Sequence, residues 1–200
     1  MNVHTTHMLV GFIANALLGF FVFTRDEKNP ANRSYAAFTF AVAWWAVMKF
    51  VLAFSRNAEE ALFWYKLSGP GWLLLPVVYL HFVSAFTRRR LFGPYSAQAL
   101  WVLYGVSGGL FAAAWIDGLI VREMVVSPWG YTHVPGPLYK TVFMPYLLAA
   151  FVYGLYHMIA FTARAVSRED RIRGGLLIAG IAIPLVGGTV TNMILPSFDV

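Results

Sequence analysis

The apolar residues of this chain fall into six long stretches separated by short polar segments. The stretches cover residues 8–23, 35–54, 71–86, 97–121, 141–161 and 174–195. Their lengths are close to the roughly 20 residues that an α-helix needs to cross the hydrocarbon core of a bilayer. The pattern predicts an all-α fold, a polytopic membrane helix bundle in which six transmembrane helices form one domain over residues 1–200.

The polar segments differ in their content of Lys and Arg. The segments after the first, third and fifth stretches carry Arg25, Lys28, Arg33, Arg88, Arg89, Arg90, Arg164, Arg168, Arg171 and Arg173. The other loops carry only Arg56, Lys66, Arg122 and Lys140. Because basic residues are retained on the cytoplasmic side, we expect both termini outside and a multi-pass protein of the plasma (inner) membrane.

Composition limits the class of protein. The chain is 59% hydrophobic and only 12% charged, which excludes an ordinary soluble domain. Its net charge of +6 is explained by basic loops beside an anionic leaflet, so no nucleic-acid partner is expected. The absence of cysteine excludes disulfides and thiolate chemistry. No phosphate-binding glycine loop, metalloprotease motif or serine nucleophile motif is present, so we do not expect an enzyme.

Two charged residues fall inside apolar stretches, Lys49 in the second and Asp117 in the fourth. A charge in hydrocarbon is costly, so both are expected to face the bundle interior and to pair if their helices are neighbours. The alternative for Lys49 is that its ammonium reaches the interface. The predicted lining of an outward-opening ligand site is Lys49, Asp117, Trp45, Trp72 and Trp129, and Lys49→Ala is expected to weaken binding of an anionic ligand.

Two other features concern the outer side. Ser68-Gly69-Pro70-Gly71 interrupts the backbone before the third stretch, which predicts either an interfacial helix or a cavity. Residues 122–140 form a Pro-rich and aromatic segment with two interpretations. It either places its rings in the interfacial aromatic belt or closes over an outward-facing pocket as a lid.

Histidines suggest a further alternative. His81 and His157 lie at similar predicted depth on two helices, as axial ligands of a b-type haem would. Bulky neighbours crowd both positions, so interhelical hydrogen bonds are favoured and no cofactor is expected. His4, His7 and His133 are all predicted outside but share no metal-binding spacing, so we expect a solvated surface and no metal.

Short motifs distributed over most of the chain suggest a family. They are Asn32-Arg33-Ser34, Trp44-Trp45, Ala58-Glu59-Glu60-Ala61, Trp64-Tyr65-Lys66-Leu67, Leu80-His81-Phe82, Pro128-Trp129-Gly130-Tyr131 and Ser167-Arg168-Glu169-Asp170-Arg171. Together they resemble the N-terminal seven-helix sensor region of bacterial membrane histidine kinases. The resemblance implies an outside N-terminus and a seventh helix that leads to cytoplasmic kinase or cyclase modules. With six stretches, the chain is expected to be a fragment of such a receptor or a six-helix relative acting through other subunits.

The function that follows is a non-catalytic sensory domain of two-component signal transduction. It is expected to bind a small or lipid-like ligand in a cavity bordered by the second, third and fourth helices. Expected partners are membrane lipids and other membrane or signalling subunits, in a homodimer or larger complex. Two alternatives stay open. One is a structural or accessory subunit of a membrane complex that carries pigments or redox cofactors, and the other is a b-type cytochrome.

Overall fold

The computed structural model describes residues 3–127 and 130–189, with side chains at 5–127 and 130–182. It is mostly helical. The elements are α1 (Val3–Arg25), α2 (Pro30–Leu52), α3 (Ala58–Leu67), α4 (Gly69–Leu73), α5 (Leu75–Thr87), α6 (Ser96–Ala114), β1 (Val121–Ser127), β2 (Gly130–Pro135), α7 (Met144–Ala163) and α8 (Arg168–Thr189). A short 3₁₀ helix, Gly93–Tyr95, precedes α6, and a π-helical turn, Tyr139–Phe143, leads into α7. Residues 1–150 and 151–200 form two compact units.

Four helical segments in the described residues are long and apolar enough to cross a membrane. They are Thr5–Arg25, Pro30–Leu52, Gly93–Ala114 and Tyr139–Ala163. The apolar helix α5 is shorter, with 13 residues. These lengths support a membrane protein, whereas the predicted six spans and the predicted sides of the termini stay predictions. The end of the sixth stretch, after residue 189, lies outside the described residues.

In the first unit, α5 lies at the centre of the packing. Tyr79 and Phe82 are almost fully buried, at 0% and 2% exposure. Both pack on aromatic residues of α2, with ring centroids 5.9 Å apart for Phe38 and Tyr79 and 5.2 Å apart for Tyr35 and Phe82. Because Tyr35 is near the start of α2 and Phe82 near the end of α5, the two helices are antiparallel. The basic residues before α2 and after α5 therefore share one end of this unit.

The predicted break before the third stretch is present, and a second break follows it. α3 ends at Leu67, α4 begins at Gly69, and Leu74 separates α4 from α5. Gly71 lets α4 approach α2 closely, since a Cβ at Gly71 would lie 2.7 Å from the Cβ and the backbone nitrogen of Trp45. The region predicted as one span from 71 to 86 is thus two helices joined by a bend.

The all-α prediction is wrong at residues 121–127 and 130–135, which form the two antiparallel strands of a hairpin. Val125 is opposite Thr132 and Met124 is opposite His133, with an irregularity between Val121 and Glu123. Helix α6 ends at Ala114 and not at residue 121, and the chain turns at Gly118, whose φ is +81°. At the base of the hairpin the Gly136 amide donates to the Ile120 carbonyl at 2.8 Å. β-Branched residues on both strands favour this pairing over a longer helix.

The hairpin lies at the end of α2 opposite the basic segments. The backbone at Gly130 approaches Ala53, which directly follows α2. A helix of 23 residues such as α2 is about 35 Å long, comparable to the thickness of a bilayer. The first unit therefore has a basic end and, about one membrane thickness away, an end formed by α3 and the hairpin.

Candidate ligand-binding site

Five rings, three of them buried and two half-buried, form a group at the hairpin end of the first unit. We call this group, which consists of Tyr65, Trp72, His133, Tyr139 and Phe143, the aromatic cluster. Its ring centroids are 4.5 Å apart for Tyr65 and His133, 5.2 Å for His133 and Tyr139, and 4.9 Å for Trp72 and Phe143. Tyr65, Trp72 and Phe143 are each at most 5% exposed. α3, α4, β2 and the π-helical turn before α7 each supply at least one ring.

The break between α3 and α4 orients two of these rings. Ser68 stands at the break and is fully buried. Its Oγ donates to the Tyr65 carbonyl at 2.6 Å and accepts a hydrogen bond from Trp72 Nε1 at 3.0 Å. Because the indole donor is satisfied in this way, the Trp72 ring can be buried at little polar cost. The break between α3 and α4 therefore sets the positions of the Tyr65 and Trp72 rings in the cluster.

Lys49 of α2 contacts the aromatic cluster. Its Nζ lies 5.5 Å from the centroid of the Tyr65 ring, within the range of a cation–π interaction. Among the described residues no carboxylate lies within salt-bridge distance of this ammonium. The charge of Lys49 is therefore only partly compensated, by the face of one ring.

His133 is the other polar group of the cluster. Its Nδ1 is buried and has no hydrogen-bond partner within the described residues. Burial, and secondarily the Lys49 ammonium, lower the pKa of His133 from 6.5 to about 4. Burial, and secondarily Tyr139, raise the pKa of Tyr65 well above its usual value of 10.0. At neutral pH both side chains are therefore uncharged, and the polar nitrogen of His133 is left to a ligand or a water molecule.

This position of His133 corrects the sequence-based expectation of a solvated surface histidine. The hairpin brings strand β2 against α3, and the ring of His133 lies against the ring of Tyr65 in a tilted arrangement, with an interplanar angle of 32°. Within the described residues no three His, Cys, Asp or Glu side chains come together as a metal site.

The structure separates Asp117 from the other predicted lining residues. Asp117 follows α6 instead of lying inside it, its side chain is 85% exposed, and it pairs with Lys66 at 2.6 Å. Lys66 also lies 6.0 Å from the centroid of the Trp115 ring. The expected pair of Lys49 and Asp117 is therefore replaced by a pair of Asp117 and Lys66, which connects the end of α3 to the turn after α6.

Two of the three predicted tryptophans are among the described residues, and their positions differ. Trp72 is in the aromatic cluster. Trp45 is 39% exposed and contacts α4 through its backbone and Cβ at Gly71, so its main contribution is to helix packing. Trp129 lies outside the described residues. Tyr65, His133 and Tyr139 were missed as lining residues, although the aromatic content of the segment before the fifth stretch was the signal that could have found the last two.

The two histidines considered for haem ligation lie in different units. In the first unit, Nδ1 of His81 is 3.0 Å from the hydroxyl of Tyr104 on α6, the type of interhelical hydrogen bond expected from the sequence. In the second unit, the His157 ring contacts Tyr153 and Tyr156 at centroid distances of 4.6 and 5.3 Å. Haem ligation stays an untested alternative.

Comparison with known protein families identifies the family of this chain. The family described as the N-terminal 7TM region of histidine kinase matches residues 7–200, nearly the whole chain. No curated protein matches the chain. The match confirms the resemblance found from the sequence motifs and agrees with the apolar helices of the fold. The chain therefore belongs to the family of N-terminal 7TM regions of histidine kinases, the membrane sensor part of these kinases, which is not itself catalytic.

Proposed function

We propose that this sensory domain binds a small or lipid-like ligand at the aromatic cluster, on the outer side of the plasma membrane. The observation that carries the proposal is the combination of buried rings with two polar groups that lack strong partners, Lys49 and His133. Apolar walls with a few placed polar groups are typical of small-molecule sites. In a folded chain such polar groups are usually satisfied, so their state here favours a ligand.

The charge distribution supports the outward orientation. Two basic segments lie at the end of the first unit opposite the aromatic cluster. They contain Arg25, Lys28 and Arg33, and Arg88, Arg89 and Arg90. The retention of basic segments in the cytoplasm then puts the cluster and the N-terminus outside. The six apolar stretches, with the basic segment at residues 164–173 also on the cytoplasmic side, support a proposal of six spans in the plasma membrane.

The proposed signal is a change in helix packing. α2 carries Lys49 near the cluster and Arg33 near the basic end, so it connects the two ends of the unit. α4 touches α2 at Gly71 and carries Trp72 in the cluster, so a ligand that moves Trp72 would press on this contact. The coupling cannot exceed the difference between the ligand's affinities for the two packings.

Native mass spectrometry of the chain in lipid nanodiscs tests the proposal. We expect the wild-type chain, taken from its native membrane, to retain a bound molecule that Trp72→Ala loses. Trp101→Ala is the matched control, because Trp101 is 76% exposed on α6 and outside the cluster. A wild-type chain without a retained molecule, or equal retention in both variants, contradicts binding at the cluster.

A second function, as a structural subunit or homodimer, is favoured by the surface of α6. Trp101 and Val102 are 76% and 64% exposed, and Gly105 and Gly109 have open space at their Cβ positions. Small residues four apart on an apolar helix permit close helix contact. Co-purification in a fixed ratio with other membrane proteins, without any retained small molecule, would favour the subunit function over the sensor.

A further inference from the structure

We infer that the ligand of the aromatic cluster carries an oxyanion, a carboxylate or a lipid phosphate, which neutralises Lys49. The inference rests on the proposed function, since it assumes that a ligand binds there, and it adds the chemical class of that ligand. Two independent features of the cluster support it: the unpaired ammonium of Lys49 and the unpartnered buried nitrogen of His133.

The elements around the cluster supply almost no negative charge. α2, α4, β2 and residues 139–150 contain no Asp or Glu. α3 contributes Glu59 and Glu60 at its first turn, where Glu60 accepts a hydrogen bond from the backbone nitrogen of Arg56 at 2.9 Å. β1 contributes only the exposed Glu123. The described chain therefore offers Lys49 no counter-ion at this position.

Lys66 provides an internal comparison. Its side chain is only 12% exposed, and it also lies against an aromatic ring, but it pairs with Asp117 at 2.6 Å. Lysines at low exposure are normally paired, because an isolated charge away from water is costly. Lys49 has the same kind of aromatic environment without the carboxylate. An external oxyanion would neutralise the Lys49 ammonium as the Asp117 carboxylate neutralises that of Lys66.

His133 adds a second polar contact. A neutral imidazole nitrogen either donates or accepts a hydrogen bond, depending on its tautomer. Nδ1 of His133 is therefore suited to an acid oxygen or to a hydroxyl group of the ligand. The rings of Trp72, Tyr139 and Phe143 leave the rest of the cluster apolar. The combination fits an amphiphile with one anionic head, either a free acid or a membrane lipid.

The experiment uses the full chain in phosphatidylcholine nanodiscs and measures thermal stability and affinity with three probes: decanoate, decanol and decyltrimethylammonium. We expect only decanoate to stabilise the wild type. Lys49→Met should weaken decanoate binding by about tenfold or more, as the loss of a charge-assisted hydrogen bond does. Lys49→Arg should retain binding. Lys66→Met is the matched control and should bind decanoate like the wild type, because Asp117 already neutralises Lys66.

A second set of nanodiscs that contain phosphatidylglycerol separates the two sources of the oxyanion. Phosphatidylcholine also has a phosphate, but its choline compensates the charge. If the uncompensated phosphate of an anionic lipid occupies the site, the phosphatidylglycerol discs stabilise the wild type but not Lys49→Met, and decanoate adds nothing further. If a free acid is the ligand, decanoate binds equally in both discs. Without any anionic probe, Lys49→Met should melt at a higher temperature than the wild type, because it removes an uncompensated charge.

Several results would overturn the inference. The inference is wrong if decanol or decyltrimethylammonium binds as tightly as decanoate. It is also wrong if Lys49→Met binds decanoate with the same affinity as the wild type. Either result leaves the proposed function standing, because some ligand still binds. If no probe changes the stability of the wild type in either kind of disc, the inference that the ligand carries an oxyanion is also wrong. The proposed function fails as well only if native mass spectrometry of the wild-type chain shows no retained molecule.

Discussion

Protonation of His133 should destabilise the folded chain in mildly acidic solution. Three neighbours face this ring: Tyr65 from α3, Tyr139 from the turn before α7, and the Lys49 ammonium from α2. None of them can stabilise an imidazolium by pairing with it, and Lys49 repels it. The pKa of about 4 in the folded state is therefore lower than the value of 6.5 for an unperturbed histidine.

The magnitude follows from the two pKa values. Above pH 6.5 His133 is neutral in both the folded and the unfolded chain, and its contribution to stability is fully present. As the pH falls from 6.5 towards 4, the unfolded chain binds the proton first, so the free energy of unfolding decreases. At roughly 1.4 kcal/mol per pKa unit the loss is about 3 kcal/mol. For a chain of this size that lowers Tm by on the order of 10 °C.

Thermal unfolding in nanodiscs between neutral pH and about pH 4 measures this effect. His133→Phe keeps a ring against Tyr65 but cannot be protonated, so its Tm should depend less on pH than that of the wild type. His7→Phe is the control for replacing a histidine with phenylalanine, because His7 is exposed on α1 and is not part of the cluster. If His133→Phe loses as much stability on acidification as the wild type, the burial of His133 is not the cause.

Two further substitutions test the packing of the first unit. Gly71→Ala should lower the unfolding free energy by about 1–3 kcal/mol, because the new Cβ would lie 2.7 Å from the Trp45 backbone nitrogen. Gly105→Ala is the control. It should not lower Tm, because the space at its Cβ position is open. Equal Tm values for the two variants would argue against the close approach of α2 and α4. Lys66→Met should cost at most about 1 kcal/mol, since the Asp117 carboxylate that it leaves unpaired is 85% exposed to water. A Tm loss as large as that of Gly71→Ala would mean that the pair of Lys66 and Asp117 holds the fold together.

The helices and the family were predictable from the sequence because their signals are local. Apolar stretches about 20 residues long mark helices wherever they occur, and the described helices cover most of the predicted stretches. The break at Ser68 was predictable for the same reason, since Gly69-Pro70-Gly71 acts on its own backbone. Motifs such as Trp64-Tyr65-Lys66-Leu67 carried the resemblance that the family match confirms.

The site was only partly predictable because its contacts depend on tertiary structure. Lys49 and Trp72 were proposed from their residue types and positions, and the structure brings both to the aromatic cluster. The partner of Asp117 depends on where α6 ends, and a hydropathy pattern does not mark that residue precisely. His133 was assigned to the surface because its hairpin was not recognised. The β-branched residues that flank Gly130, such as Val125 and Thr132, were the available signal.

The proposed function requires the aromatic cluster and its hairpin to face the outside of the cell. The chain contains no cysteine, so single cysteines can be introduced without further changes. Val126→Cys reports on the hairpin, where Val126 is 78% exposed, and Arg89→Cys reports on the exposed basic end. With a membrane-impermeant maleimide on intact spheroplasts, we expect Val126→Cys to be labelled at once and Arg89→Cys only after permeabilisation. The reverse pattern would put the cluster in the cytoplasm and contradict sensing of an external ligand.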